Sequence, residues 1–245
     1  MVARFIAWLL ALFLTALPVQ AQDGGMYVGA FVAVGASPYA GEATSTVLRP
    51  TLGVRTETFD IGTNGATAHI AQSERAALDI FLRPLFFALT HSDSPELAGI
   101  DRDVTLDAGL SYALDFAQGT RLNLSVAHEI TGEHHGQEAD LRLTQRFALG
   151  AIPLGVYAGA MWQSQDLSRY LYGVTGAEAL IDRPAFDLGA TTSPYIGVNA
   201  SLPVSPRVRV FGTVQADFLD PAITDSPIVT EDATLSLGVG IQFSF

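Results

Sequence analysis

Residues 103–116, DVTLDAGLSYALDF, alternate with a period of two: Val104, Leu106, Ala108, Leu110, Tyr112, Leu114 and Phe116 are apolar, with Asp103, Thr105, Asp107, Ser111 and Asp115 between them. Successive side chains of a strand point to opposite faces, so this stretch has one apolar and one polar face. The same alternation runs through Val47–Glu57, Thr120–Ile130, Gln137–Leu149, Ile152–Gln163, Pro194–Pro203, Arg207–Leu219 and Ala233–Phe245. Met26–Ser37, Ala66–Gln72 and Ala76–Leu89 are strand candidates with mixed faces. The chain is therefore all-β, and segment length selects the architecture. Strands of a soluble sandwich, the competing fold, cluster at about five or six residues, and most of these segments exceed ten. Alternating segments of about ten residues separated by turns mark a transmembrane antiparallel β-barrel, which leaves no backbone edge in lipid.

Composition agrees. The chain is 49% hydrophobic, yet past its N-terminus it has no uninterrupted apolar run of the roughly 18 residues a spanning helix requires. Residues 1–21, MVARFIAWLLALFLTALPVQA, carry Arg4 ahead of an apolar run and end in small residues, the pattern of a secretory signal peptide cleaved after Ala21. That leaves 22–245 as the barrel. Cysteine is absent, so a disulfide framework, a thiol lipid anchor and a CxxC site are excluded. Lysine is also absent, and the net charge of −12 becomes −13 without Arg4. Such a surface disfavours nucleic acid, whose binding needs a basic face.

Single-chain bacterial barrels have an even strand number, periplasmic termini, short periplasmic turns and longer outer loops. Counting back from Phe245 places 220–232, 166–189, 131–137 and 90–101 outside, with tight turns near Val204–Pro206, Gly150–Ala151 and Ala117–Gly119 in the periplasm. Eleven segments are visible. Parity calls for twelve strands, with the missing one in Ala76–Ile100 or Arg169–Leu188, or else for ten.

The polar faces carry Arg49, Arg55, Arg83, Arg121, Arg142, Arg146, Arg207 and Arg209 against Glu57, Asp79, Asp103, Asp107, Asp115, Glu129, Asp140 and Asp217. Charges turned into a narrow interior are costly unless paired, so this balanced set predicts cross-strand ion pairs, with Arg121, Glu129, Asp140, Arg142 and Arg146 at their centre, rather than a charge-selective pore. The net charge then lies in turns and loops, where acidic side chains form a solvated surface or hold divalent cations beside lipopolysaccharide.

The stretch VAHEITGEHHGQEAD (126–140) gathers three histidines with Glu129, Glu133 and Glu138. A zincin needs H-E-x-x-H on a helix so that both histidines share a face. Here the residue four after His128 is Gly132, and on a strand His128 points to the apolar face with Val126 and Ile130 while Glu129 points inward. A polar loop is the expectation, with no metal ligands assigned. Neither a G-x-S-x-G elbow, nor a His-x-Ser, nor a G-x-G-x-x-G is present, and no pair among the many carboxylates stands out for glycoside cleavage. No catalytic residue and no cofactor is assigned.

Pro38-Tyr39-Ala40-Gly41-Glu42, RYLYGVTGAEA (169–179) with Tyr172-Gly173-Val174 at its centre, DSPIV (225–229) with Asp225, Ser226 and Pro227, and the terminal Phe245 occur in an order that resembles the MltA-interacting protein (MipA/OmpV) family of Gram-negative outer-membrane proteins. The apolar C-terminal strand, with Phe243 and Phe245 on one face, likewise resembles the assembly signal of outer-membrane proteins. The resemblance implies an outer-membrane barrel in contact with lipid and lipopolysaccharide. For the family's namesake it implies a scaffold joining a lytic murein transglycosylase to a bifunctional murein synthase; other members look like surface antigens or porin-like proteins. Three functions remain open: a non-enzymatic scaffold for murein-synthesising and murein-cleaving enzymes, a porin-like channel, and a lipid-modifying enzyme supported by location alone. A scaffold with this topology would bind partners through periplasmic turns such as Ser73–Arg75 and Ser205–Arg207. The loop Asp166–Gly189 would fold over the barrel mouth or offer its aromatics and arginines as an interface.

Overall fold

The computed structural model describes residues 24–42, 44–86, 94–116, 119–150 and 152–245; residues 1–21, expected to be a signal peptide, lie outside the described residues. Twelve antiparallel strands close into one barrel in sequence order: β1 (Gly25–Gly35), β2 (Ser45–Arg55), β3 (Phe59–Gly62), β4 (Gly65–Gln72), β5 (Ala76–Leu85), β6 (Thr105–Asp115), β7 (Thr120–Glu129), β8 (Gln137–Leu149), β9 (Ile152–Gln163), β10 (Thr191–Pro203), β11 (Val208–Phe218) and β12 (Ala233–Ser244). β12 pairs with both β11 and β1, and the main-chain N–H of Phe245 extends the seam by donating to Met26 O (2.9 Å).

The period-two segments form strands as expected, and their apolar faces point outward. Leu110, Val126, Leu141, Val156, Ile196, Val214 and Leu237 are all exposed around the wall. In water such a belt would be an aggregation surface; in a bilayer it is the lipid-facing band. The twelfth strand is β3, which lies outside both expected ranges. Four residues are too few to display an alternation. β3 pairs β2 only at Gly53–Arg55, and it turns at Thr63–Asn64 into β4, whose register shifts between His69 and Ala71. This short hairpin makes one sector of the wall lower than the rest.

Inside, aromatic rings lie across glycines of the neighbouring strand. Tyr27 covers Gly53, Phe81 covers Gly109, Phe211 covers Gly240, and Tyr157 and Tyr195 cover Gly197 and Gly159. A Cβ at any of these glycines would come within 2.3–2.4 Å of the aromatic side chain. The glycines therefore make room for a ring to lie flat against a curved wall.

Candidate functional site: the outer cap and the lumen beneath it

The described residues of four outer loops, 36–42, 94–104, 164–190 and 219–232, meet at the outer end of the barrel. Each carries its own local support. Ser164 caps helix α1 (Gln165–Tyr172) by accepting from Leu167 N, and it also ties the helix to β8 by accepting from Gln137 N (2.9 Å). Asp220 caps the short helix α2 (Pro221–Thr224) by accepting from Ala222 N (2.9 Å), while its other oxygen accepts from Thr192 N (2.8 Å). Pro221 stands at a position where the missing N–H costs nothing.

The loops bury a shared apolar core of Tyr39, Leu97, Ile100, Val174, Leu188, Ile223, Ile228 and Val229, with Tyr172, Phe186 and Leu219 packed against it. Ile223 and Ile228 are 0% exposed. The residues that resemble the family meet here. The Tyr39 and Tyr172 rings stack at 6.1 Å. Ser226 Oγ donates to Tyr172 O (2.6 Å), Thr230 N to Pro38 O (2.9 Å), Ala40 N to Ile228 O (2.9 Å) and Val174 N to Phe186 O (2.9 Å). Gly41 has φ +73°, and a side chain there would run into Ser94 and Glu96, so glycine is required on both backbone and steric grounds. Burial pushes the Tyr172 phenol up to about 12, helped by the negative charge of Asp217.

Two arginines clamp the second and third loops together. Arg102, 5% exposed, donates to Glu178 Oε1 (2.6 Å), Gly173 O (3.3 Å) and Tyr170 O. Arg183, also 5% exposed, donates to Glu96 O (2.7 Å), Ala98 O (2.8 Å) and Glu178 O (2.7 Å). Burial raises the Glu178 carboxyl, but hydrogen bonds from Arg102 and Thr175 outweigh it and hold the group below its ordinary value. Arg102 did not stand out in the sequence, because a guanidinium directed at loop carbonyls leaves no periodic signal; Arg183 belongs to the loop expected to fold over the mouth or to offer an interface, and here it holds the loop to its neighbour.

The lumen positions divide. Arg121 pairs with Asp115 at 3.0 Å, and Arg146 reaches the other oxygen of the same carboxylate. Arg142 donates to Tyr195 Oη (3.0 Å), which donates to Asp140 (2.6 Å), so a phenol stands between the two charges; the guanidinium also lies over the Tyr157 ring at 4.7 Å. Arg83 holds Asp107 (3.3 Å) and Glu138 together, and Arg55 pairs with Asp60 (2.6 Å). Glu138 and Asp60 were absent from the expected set: Glu138 reads as part of the histidine-rich loop, and Asp60 lies on the strand too short to recognise.

Glu129 differs from the ion pair expected of it. It is 1% exposed, and its carboxylate accepts from Thr131 N and Oγ1, Gly132 N (2.7 Å), His134 N (3.2 Å) and His135 N (2.9 Å). It is the clasp of loop 130–136, and donors that close to a buried carboxylate leave no vacancy for an arginine. His128 points outward with Nδ1 3.1 Å from Gly136 O, and the His134 ring packs on Tyr170 at 4.6 Å. The histidine-rich stretch is thus a braced turn. At the C-terminus, the Phe243 and Phe245 rings meet edge-on at 4.9 Å.

Comparison with known proteins agrees with this architecture. The profile of the family described as MltA-interacting protein MipA matches residues 28–245. The MltA-interacting protein of Escherichia coli is 26% identical over 238 residues, covering 96% of this chain and 96% of that protein. A putative outer membrane protein of the same organism, YiaT, is 24% identical over 241 residues, covering 97% and 98%. The outer membrane protein OmpV of Vibrio cholerae is 27% identical over 159 residues, covering 64% and 62%.

Proposed function

Since the chain belongs to the MltA-interacting protein family, we propose that it is a non-enzymatic outer-membrane scaffold that holds murein-cleaving and murein-synthesising enzymes against the periplasmic rim of its barrel. The observation that carries this reading is the use of the family-like residues. Tyr39, Val174 and Ser226 are buried in the outer cap, the first two in its apolar core and Ser226 on the Tyr172 carbonyl, so they hold the outer loops together and offer little surface to a partner. A capped mouth serves a platform better than a conduit. Murein enzymes work in the periplasm, and the side chains available to them there are those of the short turns. In the turn 73–75, Ser73 Oγ accepts from Ala76 N (3.0 Å), which presents Glu74 and Arg75 to solvent on a fixed backbone. In the turn 204–207, Ser205 Oγ accepts from Val208 N (3.1 Å). Charges on such rigid rims set partner choice more than affinity.

The test uses the full chain as bait in solubilised envelopes, scored for murein enzymes. Reversal of charge at Glu74, Arg75 and Arg207 should abolish their recovery, and the double substitution Tyr172→Ala, Arg169→Ala should leave it intact. Loss confined to the cap variant would refute the rim assignment. Stepwise single-channel conductance from the capped barrel in a planar bilayer would favour a porin-like role instead.

A further inference from the structure

The low sector of the wall leaves a slot between β2 and β5, above the β3–β4 hairpin. Thr63 closes its floor: its N–H donates to Leu52 O (2.9 Å), its hydroxyl donates to Pro50 O (3.1 Å) and accepts from Leu52 N (3.2 Å). Above this point β2 has no β3 partner, and β5 has no β4 partner beyond Leu82. The opening has a volume of about 600 Å³ and is lined by Val47, Leu48, Arg49, Pro50, Asn64 and Phe86, among others.

The ladder register shows what faces the slot. Phe245 N donates to Met26 O, so even positions of β1 bond to β12 and odd positions of β1 and β2 bond to each other. Even positions of β2 therefore direct their main-chain groups into the slot. Asp115 N donates to Arg75 O, so by the same reasoning even positions of β5 face it from the other side. The even positions nearest the floor are Pro50 on one lip and Pro84 on the other, and neither has an N–H. Prolines so placed prevent a foreign strand from continuing the sheet. Yet the slot lies at the level of the lipid belt: Leu48 pairs with Val32 and Val32 with Val239, all three exposed. The main-chain groups of Thr46 and Leu48 have no ladder partner on this side among the described residues, an arrangement tolerated at that depth where something polar meets them.

Arg49 supplies the remaining specificity. It stands on the lumen face of β2 and has no ion pair among the described residues; its guanidinium lies across the slot, 4.6 Å from the centre of the Phe86 ring. A cation with no ion pair among the described residues, behind an apolar lip, complements a single-chain anion, and about 600 Å³ falls within the range of about 300–1,000 Å³ typical of small-ligand sites, leaving no room for a many-chained lipid. We propose that this slot binds one long-chain fatty acid entering sideways from the membrane, with its carboxylate meeting Arg49 and the main-chain N–H of Leu48 and its chain along Pro50 and Phe86. Strand addition by a partner is disfavoured by the two prolines. The site is separate from the periplasmic rim and does not depend on the scaffold reading.

The test places the full barrel in nanodiscs of zwitterionic lipid and titrates stearate bearing a photoreactive diazirine on its chain. Saturable labelling of the peptide containing Leu48–Pro50 is expected, with at least a tenfold loss of apparent affinity in Arg49→Gln and near-retention in Arg49→Lys, which keeps the charge. The methyl ester of the same probe should label weakly and equally in all three. Heat-modifiable mobility on gels confirms that each variant is folded. Equal labelling by acid and ester, or equal labelling of the wild type and Arg49→Gln, would overturn the proposal. Preferential competition by a single-chain phospholipid over stearate would overturn it in favour of a phosphate headgroup.

Discussion

The outer cap and the barrel wall are stabilised in opposite ways. The cap is built like a soluble protein, with Ile223, Ile228 and Leu97 sealed inside. The wall is inside out, with Leu237, Val239 and Ile241 turned to lipid and rings, glycines and charges turned inward. The cap draws on the expulsion of water from apolar surface. The wall draws on main-chain hydrogen bonds that have no alternative partner in hydrocarbon. Damage in one region should therefore leave the other largely intact, and substitutions of the same kind should act differently in the two.

The largest effect tests the wall. Replacing Phe245 with Asp puts a charge at the end of the strand that closes the ring, beside Phe243. Mature protein should disappear from the outer membrane and degraded chain should accumulate in the periplasm. A normal, heat-modifiable barrel in this variant would show that the closing seam does not need its aromatic terminus.

The cap is tested next by Arg102→Ala, which leaves the largely buried Glu178 carboxylate without its guanidinium. Breaking a buried pair costs about 3–5 kcal/mol, and here the loss is confined to the loops. Protease added from outside should cut within 164–190, while the barrel keeps its gel mobility and unfolding midpoint. A barrel that unfolds along with the cap would remove the distinction between the two regions.

A matched pair of truncations sharpens it further. Ile228→Ala empties a closed core, with an expected cost of about 2–5 kcal/mol, including the cavity left behind. Leu237→Ala acts on a side chain facing lipid, where acyl chains fill the gap and the cavity contribution vanishes. Outer proteolysis should report the first and leave the second unchanged; equal sensitivity would show that Leu237 does not face lipid.

The smallest effects are expected in the lumen. Arg142→Ala removes the charged donor to Tyr195, whose hydroxyl keeps only Asp140; a hydrogen bond to a charged group is worth about 1.5–3 kcal/mol, so the urea midpoint should fall. Arg146, whose side chain is 50% exposed and whose partner Asp115 keeps Arg121, should contribute about 0–1 kcal/mol when removed. A larger loss at Arg146 than at Arg142 would mean that the periplasmic end of the lumen is drier than its middle.

The sequence by itself determined the wall. A two-residue period is a local property, so eleven of the twelve strands and their lipid faces follow from reading along the chain, and even the inward direction of Glu129 does. β3 escaped because four residues carry no period. The tertiary structure decided everything that depends on which distant segments meet. Tyr39 and Val229 become neighbours because closing the barrel brings its first and last strands together. Arg83 meets Glu138, Arg142 meets Tyr195, and the Glu129 carboxylate turns to its own loop rather than to an arginine. Charge balance could forecast that the lumen would be neutralised, but not by which partner, because ring closure brings inward side chains of several strands together and packing selects among them.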